Sequence, residues 1–252
     1  MRKIIKQMTA KINYAMDKMR GKHTVHFLHI GKTGGSAIKY ALKEHPGSAG
    51  YAILLHSHRT KLRDIPRGQR VFFFLREPIS RFISGFYSRQ RQDQPRIFVS
   101  WNPDEKMAFE YFRTPNDLAV AISSADVEEK DRAHRGMSGI RHIRNSYWDW
   151  FESEEYFRSR LSDMLFVGFQ ERLGEDFEIL KSKLGLPENA KLPDDDIRAH
   201  RNPTGLDRTL SEEAIMNLKE WYKHDYEFID LCREVIREHP AIRDSHPTSP
   251  FT

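Results

Sequence analysis

Short apolar runs alternate with amphipathic stretches along this chain. Four runs are rich in β-branched, aromatic or other apolar side chains, and they lie at 24–30, 51–55, 71–75 and 164–169. Such runs, bounded by glycine, proline or polar residues, are typical of buried strands. The run at 71–75 is almost wholly apolar, which predicts a strand covered on both faces.

Helix signals fill much of the remaining sequence. Pro78 suits the first turn of a helix, and Thr114 precedes Pro115 as an N-cap residue precedes a first-turn proline. Residues 127–151 carry a broad apolar stripe at helical spacing. The predicted helices lie at 36–43, 79–89, 127–151 and 176–184, and a last long helix runs from about 209–212 to 238.

This order of elements predicts an α/β fold. Alternating strands and helices favour a three-layer α/β/α arrangement around a mostly parallel central sheet. Ligands of such sheets bind beyond the carboxyl ends of the strands. We therefore expect 29–36, 56–59 and 76–84 to meet along one edge of the sheet.

Length and composition narrow the class of protein. With 252 residues and 29.7 kDa, we expect residues 1–252 to form a single domain. Cys232 is the one cysteine, so neither an intrachain disulfide nor a cysteine-based metal site is expected. No apolar stretch approaches the ~20 residues of a transmembrane helix, and we expect a cytoplasmic protein. The net charge of +5 favours anionic ligands.

Residues 1–20 form a basic amphipathic pattern. Lysines are interspersed among apolar residues at helical spacing, namely Ile4, Ile5, Met8, Ile12, Ala15 and Met19. A helix of this kind can make a peripheral contact with an anionic membrane surface. The alternative, which we favour, is a terminal helix that packs on the domain.

The loop after the first predicted strand has the composition of a phosphate-binding loop. Its residues are Gly31, Lys32, Thr33, Gly34, Gly35 and Ser36. Glycines let backbone N–H groups approach a phosphate, the following helix adds its positive end, and Lys32 adds a full charge. A nucleotide-triphosphate loop needs a further glycine at position 26, where this chain has histidine.

A second motif follows the strand at 71–75. Arg76 lies at the strand end and Ser84 lies two turns into the next helix. A guanidinium and a hydroxyl in this arrangement can grip one phosphate.

Together the two motifs resemble the sulfotransferases that use 3′-phosphoadenosine 5′-phosphosulfate (PAPS), most closely their carbohydrate sulfotransferase branch. The likeness is strongest over 24–96 and implies a P-loop-like fold. It implies that Lys32 contacts the bridging oxygen and sulfonate, and that Thr33 to Ala37 cradle the 5′-phosphate. Arg76 and Ser84 would then bind the 3′-phosphate, in PAPS and in its product 3′-phosphoadenosine 5′-phosphate (PAP).

The resemblance also assigns the rest of the chain. It implies a helical acceptor-side region at 97–160, a C-terminal part at 161–252, and a hydroxyl acceptor, small molecule or saccharide, with neither nucleic acid nor metal. Many relatives have Arg-Asp-Pro where this chain has Arg76-Glu77-Pro78. Since the membrane anchor of Golgi relatives is also missing, we expect a soluble, bacterial-type member.

A histidine is the predicted general base. A base with a pKa near neutrality suits removal of the acceptor proton. His56 and His58 follow the second strand, and related carbohydrate enzymes use a histidine of a similar His-x-His element. His58 is the first choice, His56 the second, and Glu44 and Glu77 rank below them.

The acceptor is less well defined. Residues 59–96 are strongly basic and would suit an anionic saccharide, although a solvated basic surface explains them equally well. Trp101, Trp148 and Trp150 are more simply explained as buried aromatics than as a sugar platform. Related enzymes often return a basic residue to the nucleotide ahead of the last helix, which points to Arg201.

Two other functions remain open at this stage. One is a magnesium-dependent small-molecule kinase with a degenerate loop, and the other is a non-catalytic binder of nucleotide or polyanion. Against the kinase, no apolar strand here ends in the aspartate that usually helps to hold magnesium.

Overall fold

One parallel sheet forms the centre of the molecule. The computed structural model describes residues 21–43, 45, 50–95, 97–195, 203 and 205–243. In this part of the chain the sheet has four strands in the order β2-β1-β3-β4, all parallel. The strands are β1 (His23–Phe27), β2 (Tyr51–Leu55), β3 (Arg70–Leu75) and β4 (Met164–Phe169).

Ten α-helices surround this sheet in the described residues. They are α1 (Gly35–Lys43), α2 (Pro78–Gln90), α3 (Pro103–Tyr111), α4 (Pro115–Ala121), α5 (Val127–Gly139), α6 (Trp148–Phe151), α7 (Glu154–Arg158), α8 (Leu173–Leu184), α9 (Glu212–Trp221) and α10 (Lys223–Glu238). Pro78 and Pro115 occupy first turns, and the Thr114 hydroxyl accepts from the backbone N–H of Asp117, as the sequence predicts.

The side chains of β3 divide between two layers. Val71, Phe73 and Leu75 pack against α6, α7 and α10 on one face, where the rings of Phe73 and Phe151 lie 4.6 Å apart. Phe72 and Phe74 point to the other face and pack against α1 and α8. The predicted three-layer α/β/α fold with a parallel sheet is therefore confirmed.

The remaining long helices form a third apolar cluster. Helices α2, α3, α4, α5 and α9 pack together around Phe86, Phe109, Leu118, Met137 and Leu218. This cluster holds α2 through Phe82, Phe86 and Tyr87, and α2 carries Ser84. The position of Ser84 therefore depends on this cluster.

Two predicted elements are shorter than expected. Strand β1 ends at Phe27, and the next three residues already belong to the loop, where the carbonyl of Ile30 accepts from the Thr33 hydroxyl at 3.0 Å. The helix predicted over 127–151 ends at Gly139, because the side chain of Asn102 donates to the Gly139 carbonyl at 3.1 Å. The backbone N–H of Arg141 then donates to Glu105 at 3.0 Å instead of continuing the helix.

The predicted C-terminal helix is two helices. Its N-cap is Ser211, whose hydroxyl accepts from the backbone of Ala214, and Tyr222 separates α9 from α10. The phenol of Tyr222 donates to the carbonyl of Ile143, which draws this turn toward the loop after α5.

Some sequence predictions lie beyond the described residues. Residues 1–20, Glu44 and Arg201 belong to this group. Among the helices that the structure describes, none combines the length and the apolar character needed to cross a membrane.

Candidate active site

A cleft of about 580 Å³ opens at the carboxyl edge of the sheet. Residues that follow each of the four strands line it, and these are His29, His58, Arg76 and Gln170. In the order β2-β1-β3-β4, strand β1 has β2 on one side and β3 on the other, so successive connections run to opposite sides of β1. Ligands of such sheets usually bind beside the carboxyl end of the strand where this change occurs. The convergence expected from the sequence is present.

The loop after β1 approaches the cleft with an unusual backbone. Lys32 and Gly34 have φ angles of 67° and 82°, in the left-handed region that favours glycine. A Cβ on Gly35 would lie 2.1 Å from Cδ2 of His29, so this position has no room for a side chain. The loop then passes directly into α1, and the N–H groups at the N-terminus of a helix are suited to bind an anion.

The predicted donor-loop residues divide into two groups. Lys32 and residues 34–37 line the cleft, whereas Gly31 and Thr33 are not among its lining residues. The Thr33 hydroxyl closes the loop onto Ile30, and the Gly31 carbonyl accepts from Nε of Arg81 at 3.2 Å. These two residues therefore shape the loop from behind.

Arg81 anchors the loop from α2. Its side chain is almost fully buried, and it donates to Asp225 at 3.1 Å as well as to Gly31. The guanidinium also lies over the ring of Tyr147, with 4.8 Å between its central carbon and the ring centroid. Loop, α2 and α10 are thereby tied together.

Arg76 faces the loop across the cleft. Its Nε donates to the Ser80 hydroxyl at 2.9 Å, and one terminal nitrogen lies 3.4 Å from the carbonyl of Lys32. The phenol of Tyr147 donates to the Arg76 carbonyl and accepts from its N–H at 3.0 Å, which fixes the backbone here. Burial lowers the pKa of Arg76, but an arginine stays charged.

Ser84 and Arg208 complete this side of the cleft. Both are lining residues, and Ser84 lies on α2 two turns beyond Arg76. The sequence prediction named Arg201 as the returning basic residue, which lies outside the described residues, and missed Arg208 of the same connection. Arg208, like Arg201, is a basic residue in the segment before the last helices. The sequence argument that pointed to Arg201 therefore also covers Arg208.

The surroundings of Lys32 lower the pKa of its ammonium group. Burial lowers the pKa of its ammonium to about 8, and the neighbouring arginines 76, 91 and 89 act in the same direction. The carboxylate of Asp93 opposes them. Lys32 is therefore a cation at neutral pH that loses its proton more readily than an exposed lysine.

His58 lines the cleft with a defined tautomer. Its Nδ1 lies 3.2 Å from the carbonyl of His29, and a carbonyl only accepts, so Nδ1 carries the proton. Trp150 donates to the carbonyl of His58 at 2.9 Å and holds the backbone. Burial lowers the pKa of His58, with Lys39 adding to the effect, so the imidazole is neutral at pH 7 with Nε2 able to accept a proton.

His56 is turned away from these residues. It is not a lining residue, and its Nε2 lies 2.7 Å from Nδ1 of His26 in a stacked pair of rings. Nε2 of His26 lies 2.5 Å from Oε1 of Gln69, which makes His26 the donor there and His56 the donor to His26. Burial lowers the pKa of His56 to about 4. This arrangement favours His58 over His56 as the base.

Glu77 and the tryptophans have structural contacts. The Glu77 carboxylate caps α2, accepting from the backbone N–H groups of residues 79 and 80, and it also accepts from Tyr226. None of the three tryptophans lines the cleft, and their indole N–H groups donate to backbone carbonyls.

His142 and Asp93 are site residues that the sequence prediction missed. His142 lines the cleft beside His58, with ring centroids 6.1 Å apart, and its Nε2 lies 3.8 Å from Oδ1 of Asp93. Both have positive φ angles, 73° and 63°. No local motif marks either residue, since packing of α2 against the loop after α5 brings them together.

Comparison with known proteins gives one positive result. The model described as "Sulfotransferase family" matches residues 18–230, which is most of the chain. A search of curated proteins returns no match.

Proposed function

The chain belongs to the sulfotransferase family, and we propose that it transfers the sulfuryl group of PAPS to a hydroxyl acceptor. The observation that carries the choice of donor is that two anion-binding elements line one cleft. Lys32 and the N-terminus of α1 form one element, and Arg76, Ser84 and Arg208 form the other. Two such elements suit a nucleotide with phosphates on both its 5′ and 3′ positions.

The residues present fit this donor. The backbone of residues 33–37 with Lys32 would hold the 5′-phosphosulfate, because Lys32 and residues 34–37 line the cleft at the N-terminus of α1. Arg76 and Ser84 would hold the 3′-phosphate, with Ser80 and Tyr147 keeping Arg76 in place. When bound, PAPS supplies an activated sulfuryl group with PAP as its leaving group.

Lys32 has the central electrostatic role in this proposal. Its ammonium would neutralise the charge that develops on the bridging oxygen as the S–O bond breaks. A sulfonate carries less charge than a terminal phosphate, so one lysine with backbone dipoles can serve where a kinase uses magnesium.

His58 is the proposed general base. His58 lines the cleft, and because its Nδ1–H is held by the carbonyl of His29, Nε2 is left to accept the proton of the acceptor. Trp150 fixes the backbone of His58 from the core side. His56 lacks this access and serves in the proposal to support the end of β2 through His26.

A carbohydrate is the proposed acceptor class. The support is the resemblance of the His-x-His element and of the two phosphate motifs to carbohydrate sulfotransferases, together with the basic stretch at 59–96. A cytoplasmic location is likewise a prediction from the sequence.

The test is transfer of labelled sulfur. The full chain is incubated with [³⁵S]PAPS in EDTA and a panel of mono-, oligo- and polysaccharides together with phenols and alcohols. Label in a saccharide, lost in Lys32→Ala and kept in Lys106→Ala, supports the proposal. Label only in phenols or alcohols contradicts the carbohydrate acceptor. Transfer of ³²P from magnesium-ATP, or salt-dependent heparin binding unaffected by Lys32→Ala with no turnover, contradicts the enzyme class.

A further inference from the structure

His142 lies at the reacting end of the cleft and has no part in the donor clamp. Its ring is roughly perpendicular to that of His58. Its Nδ1 lies 3.5 Å from the point that a Cβ on Gly31 would occupy, next to Lys32. The imidazole therefore borders the space between the loop and His58, where an acceptor hydroxyl has to enter.

The backbone of His142 is held in a costly conformation. Its φ of 73° lies in the left-handed region, which residues other than glycine adopt uncommonly. On either side, the N–H of Arg141 is bound to Glu105 and the carbonyl of Ile143 to Tyr222. Gly85 of α2 lies directly beneath, since a Cβ there would be 3.4 Å from Cβ of His142. Strain of this kind persists where the surroundings fix it, commonly at functional sites.

Asp93 presents a buried carboxylate to the same ring. Its Oδ2 accepts from Arg89 at 2.5 Å and its Oδ1 from the Ser88 hydroxyl at 2.8 Å. Arg89 is itself fully buried and fixed by Glu105, at 2.7 and 2.9 Å. The carboxylate that faces His142 is therefore held by a chain of buried ion pairs.

This arrangement favours one tautomer of His142. Oδ1 of Asp93 lies 3.8 Å from Nε2, and a carboxylate only accepts, so it favours the Nε2–H form. In that form Nδ1 carries a lone pair on the Gly31 side. The contact is longer than a hydrogen bond, as is common for catalytic contacts before substrate binds.

The charges around His142 keep the ring neutral. Burial lowers its pKa to about 3; Lys32, His58 and Arg89 act in the same direction, and Asp93 opposes them. A neutral imidazole with a free acceptor nitrogen accepts hydrogen bonds from hydroxyl groups.

We propose that Asp93 positions His142 so that Nδ1 of His142 accepts a hydrogen bond from the acceptor molecule, opposite His58. Asp93 is a positioning residue in this proposal, and His142 touches the acceptor. The role of the contact rests on the proposed function, whereas the Asp93–His142 pair itself is a property of the folded chain.

Histidine ¹⁵N NMR of the full chain tests the pair directly. His142 signals are assigned by their loss in His142→Gln. We expect the neutral Nε2–H tautomer across pH 6 to 8 in the wild type, a mixture of tautomers in Asp93→Asn, and wild-type spectra in Asp104→Asn, the same change at an exposed acid paired with Arg135. An Nδ1–H tautomer of His142 in the wild type overturns the proposal.

Desulfation of [³⁵S]PAPS, with water as the only hydroxyl acceptor, tests the catalytic role. We expect His142→Gln and Asp93→Asn to release sulfate about tenfold more slowly with PAP affinity within about twofold of wild type. A wild-type rate in His142→Gln overturns the role. A wild-type chain that neither binds PAP nor releases sulfate contradicts the proposed function instead, and the NMR measurement then still decides on the pair.

Discussion

Lys32 combines an unusual backbone conformation with a lowered pKa. Its positive φ turns the chain so that its own carbonyl lies near Arg76 while its side chain enters the cleft. Burial and neighbouring arginines weaken its hold on the proton, and Asp93 restores part of it. The pKa of Lys32 therefore depends in part on Asp93, a residue distant in sequence.

Replacement of Lys32 by alanine removes the only lysine among the cleft-lining residues described. We expect sulfuryl transfer to slow by about 10²- to 10³-fold, as when one stabilising group is removed from a transition state. Single-turnover assays with [³⁵S]PAPS measure this, and Lys106→Ala, an exposed lysine on α3, is the control. Rates within about twofold of wild type would exclude the assigned role.

The pH dependence of transfer follows from two groups. As the proposed base His58 has to be neutral, and burial lowers its pKa below the ordinary value of 6.5, so kcat/KM should stay level until the pH falls below that value. Lys32 must be protonated, and with a pKa of about 8 its loss should reduce kcat/KM as the pH rises above that point.

The variant Lys32→Arg separates the acid limb of the pH profile, assigned to His58, from the alkaline limb, assigned to Lys32. Lys32→Arg keeps a cation at all accessible pH values, so the alkaline decline should disappear while the acid limb stays. An alkaline decline that is unchanged in this variant would assign it to another group.

Local motifs explain which site residues were predictable. Some site residues follow strand ends at short spacing and can be recognised from the sequence alone, namely Lys32, His58, Arg76 and Ser84. His142 reaches the cleft and faces Asp93 only because α2 packs against the loop after α5, and no local signal encodes that contact. The hydrogen bond by which the Thr33 hydroxyl closes the loop onto Ile30 was not predicted from the sequence.

At the scale of elements, a buried ion cluster holds α2, α3 and the loop after α5. Glu105 is fully buried and accepts from Arg89, from Arg141 at 2.6 Å and from the backbone of Asn102. These bonds explain why α5 ends where it does although the apolar stripe continues past it. Hydrophobic spacing predicts helical faces, while this helix end is set by long-range hydrogen bonds.

Glu105→Gln should destabilise the fold by about 3 kcal/mol, because it removes one of the two carboxylates that compensate the buried charge of Arg89, the other being Asp93. Although burial opposes the shift, bonds from Arg89 and Arg141 lower the pKa of Glu105 to about 2, against an ordinary value of 4.5. Its stabilising effect is therefore complete above pH 4.5 and is lost as the pH falls toward 2.

Urea unfolding from pH 7 down to 3 measures this contribution. The stability difference between wild type and Glu105→Gln should shrink below pH 4.5. Glu110→Gln, an exposed position on the same helix, serves as the control and should stay within about 0.5 kcal/mol of wild type. A difference independent of pH would show that the ion cluster does not hold these elements as described.

At the scale of the whole molecule, strand order creates the site. Each of the four strands ends beside the cleft, and helices on both faces fix the sheet that positions those ends. The class of fold was predictable because strands covered on both faces give nearly continuous apolar runs. The split of the last helix at Tyr222 was not, since both halves share one amphipathic pattern and the break depends on Ile143.

The central claim is that the cleft binds a nucleotide with 3′ and 5′ phosphates. Calorimetry in EDTA, comparing PAP with adenosine 5′-phosphate, tests it most directly. We expect the wild type to prefer PAP by roughly 10- to 100-fold, the effect of charge-assisted hydrogen bonds to one phosphate. Arg76→Ala should bind both nucleotides about equally, and Arg63→Ala, at an exposed ion pair, should keep the preference. Magnesium-dependent ATP binding that excludes PAP, or a PAP preference that survives in Arg76→Ala, would contradict the account.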